Sequence, residues 1–315
     1  MQDTDPEFEQ RLLACASNAA QAGGRVVLDG ARRRQGLSVT HKRLNDLVSE
    51  VDRNSEQAIV QAVMQEFPSH SILAEEGGSN PAGEGSNTQW IIDPLDGTTN
   101  FLHGFDHFAV SVGVVHDGQL VAGVVFDPVR GHCFEARRGA GAFLNGQRLH
   151  VTDRSGLVEA LVSTGLPYPA APDAPAYFRI LDHVWRGCRN VRRPGAAALD
   201  LAYVAAGFLD GFFEFALLPW DIAAGSLLVQ EAGGCISDLH GGADFLRHGY
   251  IAAGTPAVHR DLLGAVQAAD VGTAWYRGRQ AGPDRGSQVT VRKASTAGAG
   301  TKKSMDSGLT LTENS

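Results

Sequence analysis

Hydrophobic residues recur at helical spacing in two stretches near the start of the chain, Phe8–Val27 and Val51–Phe67. Apolar side chains three or four positions apart predict an amphipathic helix in each stretch. The period then changes to that of a sheet, and we place strands at His107–His116, Leu120–Phe126 and Cys133–Ala136. The dipeptide Asp117-Gly118 predicts a hairpin turn between the first two of these strands. Residues 1–153 are therefore expected to form an N-terminal α+β lobe.

Strands and helices alternate in the second half of the chain. Strand patterns cover Leu161–Thr164, Asn190–Arg193, Gly211–Phe215, Cys235–Asp238 and Tyr250–Ala253. Helical patterns cover Ala176–Arg186, Gly195–Ala206, Ile222–Ala232 and Pro256–Gln267. This alternation predicts a layered α/β lobe over residues 154–270. Residues 271–315 have few large apolar side chains and no such pattern, so we expect a disordered tail.

The charge of the chain is uneven. The 315 residues together carry a formal charge of −8 at pH 7, whereas residues 276–315 carry a net +4. The preceding body therefore carries −12, which argues against nonspecific nucleic-acid binding by the body. An acidic body suits an enzyme that concentrates divalent cations.

The cysteines and the apolar runs bear on location. The four cysteines are widely spaced and form no C-x-x-C pair, which favours a reducing compartment: Cys15, Cys133, Cys188 and Cys235. The acidic stretch Met1–Glu9 lacks the pattern of a signal peptide. Apolar runs such as Phe108–Val115 are too short to span a membrane. We expect a cytoplasmic protein without membrane contact.

The candidate chemistry begins at the end of an apolar strand, in the run Asp93–Phe101. Asp93 and Asp96 stand three residues apart, with Pro94 fixing one backbone dihedral and Gly97 permitting a sharp exit. We expect a turn that is too tight to bury the two carboxylates, so that both converge on one point.

The backbone of this run adds further polar groups. The Leu95 carbonyl lies between the two carboxylates, and the amides of Gly97 and Thr98 follow. Grouped oxygen ligands suit Mg²⁺, which proteins usually hold through one or two carboxylates and substrate phosphate. Adjacent amide N–H groups suit a phosphate. The alternative is that Asp-Pro and Asp-Gly only mark a turn.

Two other acidic segments are candidates for the same metal site. Glu75 and Glu76 precede two glycines after a short apolar run, and the segment Trp220–Gly225 opens a helix with Pro219 just before it and Asp221 in the first turn. The alternatives are that Glu75 and Glu76 are solvated loop charges and that Asp221 only complements the helix dipole.

The combination and order of these segments resemble the inositol monophosphatase family. The family comprises Mg²⁺-dependent, lithium-sensitive phosphatases that act on small sugar and polyol phosphates. The resemblance extends from about residue 8 to about residue 268, with signatures at Asp93–Phe101 and at Trp220–Gly225, the latter extended by Glu231–Gly234. The segment Gly195–Tyr203 is similar to the bacterial branch.

The resemblance implies a role for each matching position. The implied ligands of two or three Mg²⁺ ions are Glu75, Asp93, the Leu95 carbonyl, Asp96 and Asp221. The implied catalytic residues, which orient and deprotonate the attacking water, are Glu75, Thr98 and Asp52. The implied substrate-binding residues are Gly97, Thr98, Gly195, Ala196, Ala197 and Glu214. One departure is His41, where many relatives carry a lysine.

The fold and assembly implied by the resemblance are a five-layer αβαβα sandwich of the inositol monophosphatase and fructose-1,6-bisphosphatase type, and a homodimer. The metal site would lie where the two lobes meet. The substrate we expect is inositol 1-phosphate. Histidinol phosphate, fructose 1,6-bisphosphate and adenosine 3′,5′-bisphosphate are the alternatives within this enzyme class. A regulatory protein that binds the transcription machinery and retains the site is an alternative of another class.

Overall fold

A computed structural model describes residues 5–33, 39–43, 46–79, 83–168 and 171–272 of the chain. The expected tail, residues 271–315, lies outside the described residues from position 273 onward. Within the part that is described, no helix is long and apolar enough to cross a membrane.

The helices and strands of the described ranges have the following bounds. The helices are α1 (Pro6–Arg32), α2 (Glu50–Glu66), α3 (Thr98–His103), α4 (Ala174–Gly187), α5 (Ala197–Ala205), α6 (Pro219–Glu231), α7 (Phe245–His248) and α8 (Pro256–Ala268). The first ten strands are β1 (Val39–Arg43), β2 (Asp46–Ser49), β3 (Ser71–Ala74), β4 (Gly78–Ser79), β5 (Thr88–Asp96), β6 (Ala109–His116), β7 (Gln119–Asp127), β8 (His132–Arg137), β9 (Gly141–Leu144) and β10 (Gln147–Arg148). The last five are β11 (Leu161–Thr164), β12 (Asn190–Arg192), β13 (Gly211–Glu214), β14 (Cys235–Ser237) and β15 (Ile251–Gly254).

The first large sheet has eight strands in the order β10-β9-β8-β7-β6-β5-β3-β4. Its pairs are antiparallel except for β3 and β5, which run parallel. Helices α1 and α2 cover one face, because the apolar stripe of α1, including Leu12 and Val27, packs into the same core as Ile59 of α2 and Val112 of β6. This stripe is the amphipathic pattern that predicted the helix.

The second large sheet has five strands in the order β12-β11-β13-β15-β14. Its β11 pairs in parallel with β12 and β13, and β15 runs antiparallel to both of its neighbours. Helices α4 and α8 pack against each other, and α8 also contacts β13, β14 and β15.

Helices α5 and α6 lie between the two sheets. Helix α6 contacts β5 to β9 of the first sheet and β14 and β15 of the second. All of its residues from Ile222 to Val229 are buried, as expected for a helix whose middle is enclosed by protein. The layer order is helix, sheet, helix, sheet, helix, so the expected αβαβα sandwich is confirmed.

The differences between predicted and observed elements lie at the ends and in the short pieces. Pro219 is the first residue of α6 instead of preceding it, since proline suits the first turn. The sequence did not predict β1, β2, β4, β9, β10, α3 or α7, which have six residues or fewer and show little periodicity. The lobe boundary between residues 153 and 154 stays a prediction. His41 lies on β1, opposite Leu47 of β2.

Candidate active site

The run of the first signature is a bulged strand end. Against β6, Asp93 pairs with Ser111 and Asp96 pairs with Ala109, so one extra residue is inserted between the two acids. Pro94 has no N–H for the ladder, and bulges of this kind redirect side chains next to active sites. The bulge places both acids on the same side of the chain segment.

The expectation that this turn leaves both carboxylates unburied was wrong. Asp93 is 2% exposed and Asp96 is 9% exposed. The strand runs through to Asp96, and elements distant in sequence cover it. The Asp93 carboxylate accepts a hydrogen bond from the Leu95 amide at 3.0 Å.

Four predicted metal ligands lie close enough for their charges to act on one another. The pKa of Asp93 is raised well above its usual range, first by burial and then by the charges of Glu75, Asp96 and Asp221. Glu75 follows β3, the strand parallel to β5, and its amide donates to the Ile92 carbonyl at 3.2 Å. The fold therefore brings acids from three separate segments together.

Asp221 is the third residue of α6 and forms part of that helix's N-terminal cap. Its Oδ2 accepts a hydrogen bond from the Leu218 amide at 2.6 Å. The start of the helix is tied to the first sheet, because Ser111 Oγ donates to the Trp220 carbonyl at 3.1 Å. This contact joins the second signature to the strand opposite Asp93.

Asp96 lies at the N-terminus of α5. Its Oδ2 accepts a hydrogen bond from the Ala198 amide at 2.7 Å. Burial raises the pKa of Asp96 to about 7, an effect that hydrogen bonds from the Ala197, Ala198 and Leu199 amides oppose. The first amides of a helix are suited to a carboxylate because they lack partners within the helix and carry positive partial charge.

Thr98 and Asp52, two of the catalytic residues that the resemblance implies, are in direct contact. The Thr98 hydroxyl lies 2.9 Å from Asp52 Oδ1 and 3.1 Å from the Leu95 carbonyl. Both partners are acceptors, so the single hydroxyl proton is directed toward them and the oxygen lone pairs remain for another donor. Gly97, just before, has φ 92°, and a Cβ there would lie 3.1 Å from the His107 carbonyl.

The loop that contains Gly195, Ala196 and Ala197 is attached to the first signature by Asn100. The Asn100 amide nitrogen lies 2.8 Å from the His107 carbonyl, 2.9 Å from that of Pro194 and 3.3 Å from that of Gly195. Gly195 has φ 93°, a conformation that side chains with a Cβ rarely adopt. Asn100 was not among the predicted site residues, although it is part of the first signature.

Glu214, at the end of β13, is close to the same group of acids. Its pKa is raised to about 8 by burial and by the charges of Asp221 and Asp96, while Arg193 acts in the opposite direction. A Cβ at position 165 would collide with the Glu214 carboxylate, so Gly165 leaves the room that this side chain occupies.

Asp200 is a site residue that the sequence analysis missed. It is 1% exposed, and its Oδ1 has no hydrogen-bond partner in the described part of the chain. Burial, Glu214 and Asp96 raise its pKa, and Arg193 opposes them. The signal was available: Asp200 is the single charged residue of the otherwise apolar helix α5.

The donor set fits a hard cation in chemistry and in charge. The four acids Glu75, Asp93, Asp96 and Asp221 supply oxygen donors alone, which Mg²⁺ prefers, and their mutual repulsion is what a cation relieves. Among the described residues, no three His, Cys, Asp or Glu side chains are arranged tightly enough to enclose an ion as they stand. In Asp93, Asp96 and Asp221, one carboxylate oxygen accepts a hydrogen bond from a backbone amide.

A separate cavity of about 380 Å³ lies at the amino ends of β11 and β13. Its lining includes Arg154, Arg192, Phe208 and Asp210. The Asp210 carboxylate there accepts hydrogen bonds from the Thr152 hydroxyl at 2.6 Å and the Leu161 amide at 2.8 Å. Glu214 stands at the opposite end of β13, so this cavity is distinct from the acidic site.

The layer order, with an acidic cluster at the start of a helix enclosed between two sheets, defines an αβαβα sandwich of the inositol monophosphatase and fructose-1,6-bisphosphatase type. A family model described as the inositol monophosphatase family matches residues 9–270. The chain belongs to the inositol monophosphatase family.

Individual relatives agree with this assignment. A Nus factor SuhB from Pseudomonas aeruginosa is 46% identical over 261 residues, which cover 82% of this chain and 96% of that protein. The crystal structure of the extragenic suppressor protein suhB from Bartonella henselae has a TM-score of 0.79 at 40% identity, covering 82% of this chain and 98% of its own. An inositol monophosphatase structure from Anabaena (Nostoc) sp. PCC 7120 has a TM-score of 0.73 at 34% identity, covering 82% and 96%.

Proposed function

We propose that the chain is a Mg²⁺-dependent phosphomonoesterase that hydrolyses inositol 1-phosphate or a closely similar polyol or sugar phosphate. The observation that carries the proposal is the convergence of Glu75, Asp93, Asp96 and Asp221, which three separate segments bring into one partly buried cluster where their charges repel one another. Folding against this repulsion costs stability, and a divalent cation removes the cost. Structural relatives that are inositol monophosphatases support the same reaction class.

The residues that would hold Mg²⁺ are Glu75, Asp93, the Leu95 carbonyl, Asp96 and Asp221, with two or three ions expected from the resemblance. When bound, Mg²⁺ supplies neutralisation of phosphate charge and a lowered pKa for water. Phosphate ester hydrolysis needs little covalent chemistry from the protein, so the side chains act mainly by positioning.

The Thr98 hydroxyl is suited to orient the attacking water. Its proton is directed to Asp52 and the Leu95 carbonyl, so its oxygen can accept a hydrogen bond from a water molecule. Glu75 is the carboxylate to which we assign the uptake of the proton of that water. The backbone amides of Gly97 and Thr98 are the donors we assign to the phosphate.

The polyol part of the substrate would lie against Gly195, Ala196, Ala197 and Glu214. The Glu214 carboxyl group lies at the end of β13, close to Asp221 and Asp96, whose charges raise its pKa, and it is the group that we assign to hydrogen-bond a substrate hydroxyl. Specificity among the candidate substrates is therefore expected to depend on this end of β13.

The test is phosphate release with and without Mg²⁺ on inositol 1-phosphate, histidinol phosphate, fructose 1,6-bisphosphate and adenosine 3′,5′-bisphosphate. Asp93→Asn should remove Mg²⁺-dependent release, while the matched control Asp117→Asn, in a hairpin turn with a half-exposed side chain, should not. The preferred substrate identifies the branch. Wild-type turnover by Asp93→Asn would contradict the assignment of the acidic cluster.

A second function has independent support from the relatives. The protein that is 46% identical over nearly its whole length is named a Nus factor. We propose that this chain also binds the transcription machinery, through a surface separate from the acidic cluster. Purified RNA polymerase from the same organism should be retained equally by immobilised wild type and Asp93→Asn. Retention by neither protein would count against this second function.

Self-association as a homodimer remains a proposal from the resemblance. Exposed aromatic side chains such as Phe105 and Phe208, 57% and 53% exposed, are available for a contact between copies. Sedimentation velocity of the full chain tests the proposal, and a monomer at micromolar concentration would contradict it.

A further inference from the structure

One face of α2 contacts two segments of the acidic site, the Asp93–Thr98 run and the turn that follows β3. We call Asp52, Ser55 and Glu56 the α2 face, because residues three and four positions apart project from the same side of a helix. All three are buried, with exposed fractions of 1%, 0% and 8%. Asp52 accepts the Thr98 hydroxyl at 2.9 Å, and Ser55 Oγ donates to the Pro94 carbonyl at 2.8 Å.

Glu56 holds the segment that carries Glu75. Its Oε2 accepts a hydrogen bond from the Glu76 amide at 2.8 Å. A Cβ at position 77 would lie 2.5 Å from Glu56 Oε1, so both carboxylate oxygens lie against this turn. On the other side, the Glu75 amide donates to the Ile92 carbonyl of β5 at 3.2 Å.

These contacts place the Glu75 turn between β5 and α2. The Ser55 bond holds the bulge between Asp93 and Asp96 to the same helix. The α2 face therefore links the two chain segments whose acids must stay at a defined separation despite their repulsion. A buried side-chain oxygen that accepts a backbone N–H fixes the position of that N–H, because hydrogen bonds are directional.

We propose that Glu56 is a positioning residue for the cation site: it accepts the Glu76 amide and so places the Glu75 carboxylate opposite Asp93. The inference rests on the proposed function, because it assumes that Glu75 and Asp93 share a cation. It adds a residue outside the ligand set, which acts through backbone geometry and makes no contact of its own with substrate.

Two conservative substitutions separate position from charge. Glu56→Gln keeps the length of the side chain and an acceptor oxygen but removes the charge. Glu56→Asp keeps the charge but shortens the reach by one methylene. If Glu56 acts by position, Gln substitutes for it and Asp does not.

The experiment measures Mg²⁺ binding by titration calorimetry together with the Mg²⁺ concentration that half-activates phosphate release. Glu56→Asp should weaken Mg²⁺ binding roughly 10- to 100-fold, the usual effect of losing a partner that orients a ligand. Glu56→Gln should stay within about threefold, since the hydrogen bond to the Glu76 amide survives. In both Glu56 variants, the KM for substrate should change less than the Mg²⁺ concentration that half-activates phosphate release. Glu66→Asp, on the same helix with a 39% exposed side chain, is the matched control.

The outcomes distinguish this inference from the proposed function. Equal losses in Glu56→Gln and Glu56→Asp would overturn it, because charge would then be what matters. Unchanged Mg²⁺ binding in Glu56→Asp would overturn it as well, with circular dichroism showing that the variants are folded. If the wild type binds Mg²⁺ but hydrolyses no substrate of the panel, the proposed activity fails while the binding comparison still decides the role of Glu56. Absence of Mg²⁺ binding by the wild type would overturn both.

Discussion

Replacing Asn100 by alanine is expected to destabilise the protein and to loosen the substrate end of the site. The side chain is 8% exposed, and its amide nitrogen donates to the carbonyls of His107 and Pro194 at 2.8 and 2.9 Å. An NH₂ group has two hydrogens, so these two short bonds are the ones to count, and the 3.3 Å contact with Gly195 shares one of them.

The magnitude follows from what the substitution leaves behind. Each buried carbonyl that loses its donor costs about 1 to 3 kcal/mol, and the Pro194 carbonyl is only partly buried. We expect the free energy of unfolding to fall by about 3 kcal/mol, which for a chain of this size lowers Tm by roughly 6 °C. Asn100→Asp should be worse, because an acceptor would then face three carbonyl oxygens.

Chemical denaturation of wild type and Asn100→Ala measures the loss directly. Asn190→Ala is the control, because Asn190 is exposed and its side-chain oxygen accepts from the amide of the next residue at the surface, so the loss should stay within about 0.5 kcal/mol. A loss in Asn100→Ala no larger than in this control would refute the reasoning. Asn100 holds the carbonyls of Pro194 and Gly195, which directly precede the predicted substrate-binding residues Ala196 and Ala197. KM for the substrate should therefore rise more than kcat falls.

Three further outcomes are expected from the site. Thr98→Val, which keeps the shape of the side chain and removes the hydroxyl, should lower kcat by about 100-fold or more, whereas Thr98→Ser should retain most activity; equal activity of Val and Ser would contradict the role of the hydroxyl. Asp93→Asn should remove turnover, and in EDTA its Tm should exceed that of the wild type by more as pH rises, because ionising the buried Asp93 carboxyl group beside Glu75, Asp96 and Asp221 costs stability; a Tm difference that does not change with pH would argue against that repulsion. The raised pKa of Glu214, about 8 against a usual 4.5, means that the folded state binds its proton more tightly than the unfolded state. In EDTA, the contribution of Glu214 to the free energy of unfolding should therefore be fully present below pH about 4.5 and be lost as pH rises toward about 8. In pH-dependent denaturation, the free energy of unfolding of Glu214→Gln should fall less over that window than that of the wild type; identical pH profiles would contradict the burial of this carboxylate.

Local patterns in the sequence were sufficient for the main elements and for the order of the acids. The apolar stripes of α1 and α2 and the alternating strands β6 to β8 are periodic over many residues, so their types follow from side-chain spacing alone. The Asp117-Gly118 turn is observed with φ 49° and 72°, the left-handed values that this dipeptide favours. The two acidic signatures could be found because their residues are close together along the chain.

Packing between layers decided what no local pattern encodes. Asp93 and Asp96 are buried by elements that are distant in sequence. The hydrogen bonds from the α5 amides to Asp96 and from Asn100 to the Pro194 carbonyl also join residues that are widely separated along the chain. Asp200 and Glu56 likewise join the site through distant contacts, since one lies near Glu214 and the other binds the Glu76 amide. The sequence by itself determined which residues can offer oxygen atoms to a cation, because donor chemistry belongs to the side chain. Only the tertiary structure decided how close those ligands lie and how strongly they repel one another, because burial and distance depend on the stacking of the two sheets around α5 and α6.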